Sequence, residues 1–129
     1  MMDTTYLVVE NNDTVHKKES EFLTSYGISF ARVSSMDEAI KEASKNQYTY
    51  IGIHADNINY MPMLRVLRGA TDAPILISTS CYTTQEQSEA MNNGADLFWH
   101  INENSNDNYA SVTTTINMVN EYLSLRSKL

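Results

Sequence analysis

Apolar and polar positions come in blocks along this chain, and each block has the length of a buried strand or the period of a helix. Thr5 to Glu10, TYLVVE, is a β-branched apolar run of strand length, and the turn-forming side chains of Asn11 to Asp13 break it. From Thr14 to Tyr26 the apolar positions Val15, Phe22, Leu23 and Tyr26 share one helical face, with Gly27 as the stop. Ile28 to Ser35, ISFARVSS, alternates as a strand does. Ser35 and Glu38 then form a capping box, which opens a helix with Met36, Ala39, Ile40 and Ala43 as its buried stripe. Tyr48 to His54, YTYIGIH, reads as a third strand, and Asp56 to Met61 as a loop. Pro62 suits the first turn of a helix running to Gly69, with Leu64 and Leu67 inward. Ala73 to Thr79 is a fourth strand. Thr83 and Glu86 make a second capping box, on a helix ending at Gly94. Ala95 to Ile101 is the fifth strand and Asn102 to Asn108 a polar loop. A last helix starts near Tyr109, with Val112, Ile116, Val119 and Leu123 along one face.

Strand and helix thus alternate five times. That order predicts an α/β fold with a parallel sheet covered on both faces. Right-handed crossovers make it a doubly wound (βα)5 sandwich of three layers. At 129 residues the chain is expected to form one domain, residues 1–129, around one hydrophobic core. No repeat or low-complexity segment interrupts it.

Composition narrows the function classes. Apolar residues make up 42% and charged residues 19%, an ordinary globular balance. The net charge of −7 repels phosphate backbones, which argues against direct nucleic-acid binding. The single cysteine, Cys81, excludes an internal disulfide, suits a reducing compartment, and has no evident base beside it to make it reactive. The four glycines form no phosphate-cradling loop, which argues against a nucleotide-binding enzyme. No apolar run approaches the roughly 18 residues of a membrane span, and Met1 to Tyr6 lack the basic and apolar regions of a signal peptide. A soluble cytoplasmic protein is expected.

In a doubly wound sheet, ligands meet the carboxyl ends of the strands where strand order reverses. Glu10, Asn11 and Asn12 follow the first strand, His54 and Asp56 the third, Thr79 and Ser80 the fourth, and Ile101 and Asn102 the fifth.

On these residues the chain resembles the receiver domain of bacterial two-component response regulators, over roughly residues 4 to 127. YLVVEN is similar to the family's first strand, which ends in an acidic pair. PILIST is similar to its fourth, which ends in a hydroxyl residue. AMNNGADLFW is similar to its alanine-x-x-x-glycine-alanine stretch before strand five. The resemblance implies a flavodoxin-like fold with sheet order 2-1-3-4-5. It also implies phosphoryl transfer from a phosphohistidine to an aspartate. In that chemistry two acids after strand one hold Mg²⁺, and a carboxylate at the tip of strand three is the nucleophile. A hydroxyl after strand four and a lysine after strand five contact the phosphoryl oxygens.

This sequence keeps part of that set. Glu10 matches the first acid, but Asn11 replaces the second. His54 falls at the nucleophile's position. Thr79 matches the hydroxyl, Ile101 replaces the lysine, and Asn102 replaces the proline after it. Phe98 takes the aromatic switch position without a phenol oxygen. Mg²⁺ favours anionic oxygen ligands, so an amide and an imidazole serve it poorly, and no Mg²⁺ or other cofactor is expected. The expected function is a non-enzymatic, phosphorylation-independent receiver acting through protein contacts, in a signalling or transcriptional regulator. The alternatives are a phosphorylatable receiver with an unusual acceptor, and a pseudo-receiver sensing a small molecule or metal.

Single residues have competing readings. His54 is a neutral hydrogen-bonded structural residue, a pH-sensitive or ligand-contacting one, a metal ligand with Glu10 and Asp56, or a phosphoacceptor. Glu10 with Asp13 is a weak cation candidate. Asp56, beyond the strand end, is expected as a solvated or turn-capping carboxylate. Thr79 has the alternative reading of satisfying backbone groups at a strand end. Alternation puts Trp99 opposite Phe98 and His100. These residues are packing under the helices, or part of the helix-four, strand-five, helix-five face that receivers use for dimerisation. Met61 and Met63 read as core or loop filler. The family often attaches an effector, commonly a winged-helix DNA-binding domain, after helix five, though no residue here shows one.

Overall fold

The computed structural model describes residues 5–25, 27–80, 83–100 and position 121. The elements in order are β1 (Thr5–Val9), α1 (Asp13–Ser25), β2 (Ser29–Val33), α2 (Met36–Lys45), β3 (Tyr50–His54), α3 (Leu64–Ala70), β4 (Ile75–Thr79), α4 (Thr84–Asn92) and β5 (Leu97–His100). Two short 3₁₀ turns, Ala55–Asn57 and Met61–Met63, link β3 to α3. The expected final helix, with Val112, Ile116, Val119 and Leu123, lies outside the described residues, as do Cys81, Ile101 and Asn102. So do the side chains of Val15, Phe22, Tyr26, Trp99 and His100.

All strands are parallel, in the order β2-β1-β3-β4-β5. This is the flavodoxin-like doubly wound sheet expected from the sequence. Strand order reverses between β1 and β3, where Val9 lies opposite Ile53. The next residue of each chain segment is then Glu10 and His54. On the other side of β3, His54 lies opposite Ser78. Register alone therefore gathers the ends of β1, β3 and β4.

The period-2 alternation of the strands divides the core in two. Leu7, Val9, Ile51, Ile53, Ile75 and Ile77 face a layer that includes Met36, Ala39 and Ala43 of α2 and Leu64 and Leu67 of α3. Tyr6, Val8, Tyr50 and Leu76 face the other way, with Leu23 of α1. Each fully buried Leu or Ile contributes roughly 1.5–3 kcal/mol. Phe98, Met61 and Met63 pack against the larger cluster, as filler residues do.

The N-cap half of each expected capping box forms: Glu38 N–H donates to Ser35 Oγ at 3.3 Å, and Glu86 N–H donates to Thr83 Oγ1 at 3.1 Å. At the end of α1, Gly27 adopts φ +69°, and Ile28 N–H reaches back to Leu23 O at 3.0 Å. This closes the helix as a Schellman turn. The helix expected from Pro62 instead begins as the Met61–Met63 3₁₀ turn and becomes α-helical at Leu64. Proline suits such a turn, since it has no N–H to leave unsatisfied. No helix among the described residues is long and apolar enough to cross a membrane.

Arg68 ties α3 to the sheet. Its guanidinium donates to the carbonyls of Thr71 at 2.8 Å, Ala73 at 2.7 Å and Gly94 at 3.2 Å, and to Asp96 Oδ2 at 2.8 Å. The same Asp96 oxygen accepts from Ile75 N–H at 2.9 Å. The NGAD stretch, first notable as a family signature, is thus the seat of an arginine.

Candidate functional site

The site is built where three parallel strands end. Glu10 follows β1 with its side chain wholly buried. Its backbone is fixed by β2: the N–H donates to Val33 O, and the carbonyl accepts from Arg32 Nε, both at 2.9 Å. Glu10 Oε1 accepts from Asn12 N–H at 2.7 Å, whereas Oε2 has no hydrogen-bond partner. Burial pushes the Glu10 carboxyl above its ordinary pKa, and the neighbouring His54, the Asn12 N–H and Arg32 oppose that rise.

His54 ends β3 and is also buried. Its ring stands between two carboxylates, with Nδ1 3.7 Å from Glu10 Oε2 and Nε2 3.4 Å from Asp56 Oδ2. Nδ1 also lies 3.5 Å from Ser78 Oγ. These separations are longer than those of strong hydrogen bonds, so the ring acts mainly as a spacer and electrostatic partner between two acids.

Asp56 departs from expectation. It is neither a solvated loop residue nor a turn cap. The 3₁₀ turn Ala55–Asn57 carries it back over the strand ends, and only 16% of its side chain is exposed. Oδ1 accepts from the Thr79 hydroxyl at 2.7 Å and from Ser80 N–H at 2.8 Å. Oδ2 accepts from the Ser80 hydroxyl at 2.8 Å. Three donors at the end of β4 converge on one carboxylate, the geometry of short charge-assisted bonds.

Thr79 is buried, and its hydroxyl is committed to Asp56 rather than only to backbone groups. Asn11 is exposed beside Glu10. Asp13 does not join Glu10 in a cation site. It forms a surface ion pair with Arg32 NH1 at 3.0 Å, with 93% of its side chain exposed. Among the described residues no group of three or more His, Cys, Asp and Glu is placed to hold a metal ion. The His54 imidazole stands between the Glu10 and Asp56 carboxylates, so the two acids do not converge on one point. Phe98 lies on β5 opposite Ile77, half-buried against the core. Ile101 lies outside the described residues.

One strand-end residue had no role assigned from the sequence, and one contributor was missed altogether. Ser80 supplies two of the three donors to Asp56. Glu19 on α1 is pushed up to about 7, chiefly by burial and then by repulsion from Glu10, with Arg32 opposing. Glu19 falls four residues from both Val15 and Leu23, on the stripe that faces the sheet, and that spacing was the available signal.

No protein-family model matches the chain, and no curated protein matches it in sequence. Solved structures do match in fold. A two-component response regulator from Clostridium difficile superposes with TM-score 0.80 at 20% identity, covering 94% of this chain and 98% of its own. A CheY-like response regulator receiver domain protein from Methanospirillum hungatei gives TM-score 0.76 at 11% identity, covering 93% and 96%. A response regulator from Burkholderia pseudomallei, solved with a phosphorylated aspartic acid, a calcium ion and citrate, gives 0.74 at 21% identity, covering 96% and 73%. The chain is similar to these proteins in fold.

Proposed function

We propose that this chain is an atypical response-regulator receiver domain that signals through protein contacts without being phosphorylated. One observation carries the reading. The tip of β3 presents the buried His54 imidazole, bracketed by the Glu10 and Asp56 carboxylates. The Burkholderia relative in fold carries a phosphorylated aspartic acid, whereas this chain offers at its strand tip a nitrogen heterocycle flanked by negative charge.

The chemistry disfavours phosphoryl transfer at each step. An incoming phosphoryl group is anionic, and two nearby carboxylates repel it. The donor set does not suit Mg²⁺, and the sequence has Ile101 where the family's lysine supplies positive charge. The Thr79 hydroxyl is already bonded to Asp56. A receiver of this kind is a cytoplasmic, non-enzymatic module without a cofactor. Its output passes to an attached effector domain or to a second copy, through the α4 and β5 face.

Incubation with acetyl phosphate and Mg²⁺, followed by intact-mass measurement, tests this. No added phosphoryl mass is expected. A stable, Mg²⁺-dependent gain on any residue overturns the reading in favour of a receiver with an unusual acceptor.

A further inference from the structure

Asp56 stands two residues past the position where a receiver carries its nucleophile, yet its carboxylate is the most heavily bonded acceptor of the site. Three donors reach it from the end of β4: the Thr79 hydroxyl at 2.7 Å, the Ser80 N–H at 2.8 Å and the Ser80 hydroxyl at 2.8 Å. His54 Nε2 approaches from the β3 side at 3.4 Å. Two hydroxyls, one peptide N–H and an imidazole edge form a cradle suited to a small oxyanion. Such donors favour a charged oxygen acceptor over a neutral one.

We propose that the Asp56 carboxylate is a built-in ligand of an oxyanion-binding cradle, filling from within the chain the place that an external phosphoryl or carboxylate group would take. The proposal rests on the reading of an unphosphorylated receiver, and deepens it by naming what occupies the site. Thr79 is the residue whose hydroxyl, by the resemblance, would contact phosphoryl oxygens. Here it binds an oxygen of the same chain, reached because the Ala55–Asn57 turn folds back. The consequence is a fixed tie between the ends of β3 and β4 that needs no phosphoryl donor. The site is then held in a single bonded arrangement.

Removing the internal ligand exposes the cradle. In D56A the Ser80 amide proton is expected to move upfield, as it loses a charge-assisted bond. Titration with acetate or inorganic phosphate, against chloride at matched ionic strength, is expected to return it saturably toward its wild-type position. Wild-type protein is expected to show no saturable response, because its cradle is filled. D56N keeps the shape and loses the charge, so it also shifts the Ser80 amide while preserving the fold. A folded D56A that answers neither anion overturns the proposal, and so does an unchanged Ser80 amide in D56N. If D56A does not fold, D56N decides alone. Phosphorylation of the wild type by acetyl phosphate would instead sink the reading of an unphosphorylated receiver, and the Ser80 amide in D56N would still decide the cradle.

Discussion

The hydroxyl of Thr79 donates to Asp56 Oδ1 at 2.7 Å, joining the end of β4 to the turn after β3 across 23 residues of chain. The donor is buried and the acceptor nearly so. Neither group can turn to water without breaking the link, so the bond is worth more than an exposed one. Thr79→Val keeps the shape and removes the donor. It is expected to lower unfolding free energy by roughly 1–3 kcal/mol, measured by urea denaturation. Thr79→Ser, which keeps the hydroxyl, should recover most of the loss.

The buried contacts of His54 and the surface pair of Asp13 with Arg32 should differ in their worth. His54 separates two buried or nearly buried carboxylates, whereas Asp13 meets Arg32 at the surface. His54→Ala leaves Glu10 and Asp56 facing each other without the imidazole, at an expected cost of about 2–4 kcal/mol. Asp13→Ala should leave the urea midpoint unchanged within error, since exposed pairs are screened by water. Equal effects from the two variants would contradict the description of the site as a buried charge cluster.

Gly94 is held at φ +119°, and a Cβ there would meet the Arg68 Cβ and Cγ at 2.8 Å. Both features oppose a side chain. Gly94→Ala is expected to cost about 1–3 kcal/mol in chemical denaturation. Arg68→Lys should be comparably damaging, because a single ammonium cannot reach all four acceptors that the planar guanidinium serves. A benign Arg68→Lys would mean that the α3 anchor is electrostatic and not geometric.

Glu19 gives the protein a pH dependence of definite sign. Its carboxyl is pushed up to about 7, from an ordinary 4.5, mainly by burial and next by the Glu10 charge. The folded state therefore holds the Glu19 proton more tightly than the unfolded chain does. Stability from this group is fully present below its unfolded value and is lost as pH rises through about 7. Glu19→Gln, which cannot ionise, is expected to flatten that decline. At about pH 8 it should exceed the wild type by roughly 1–3 kcal/mol. Thermal or urea unfolding across pH checks this, and a wild type that gains stability between about pH 5 and about pH 8 would contradict it.

Local pattern alone was enough for the order of elements from β1 to β5, the caps at Ser35 and Thr83, and the inward positions Met36, Ala39, Ala43, Leu64 and Leu67. These follow from local rules: a period of two or of 3.6, and side chains that bond their own backbone a few residues on. The sequence also showed which chemical groups stand at His54, Asn11 and Ile101, because identity needs no geometry. How the strand ends meet in space depends on the folded sheet. Asp56 looked like a loop carboxylate because nothing periodic marks a 3₁₀ turn that folds back onto a strand end. Its donors, Thr79 and Ser80, sit 23 and 24 residues away. Arg68 is equally silent in sequence, since its acceptors Gly94 and Asp96 lie 26 and 28 residues downstream. Such links depend on parallel register across the sheet, which brings distant strand ends together. Thus the chain alone raised the expectation that His54 stands at a receiver's nucleophile position, while its place between the Glu10 and Asp56 carboxylates is a property of the fold.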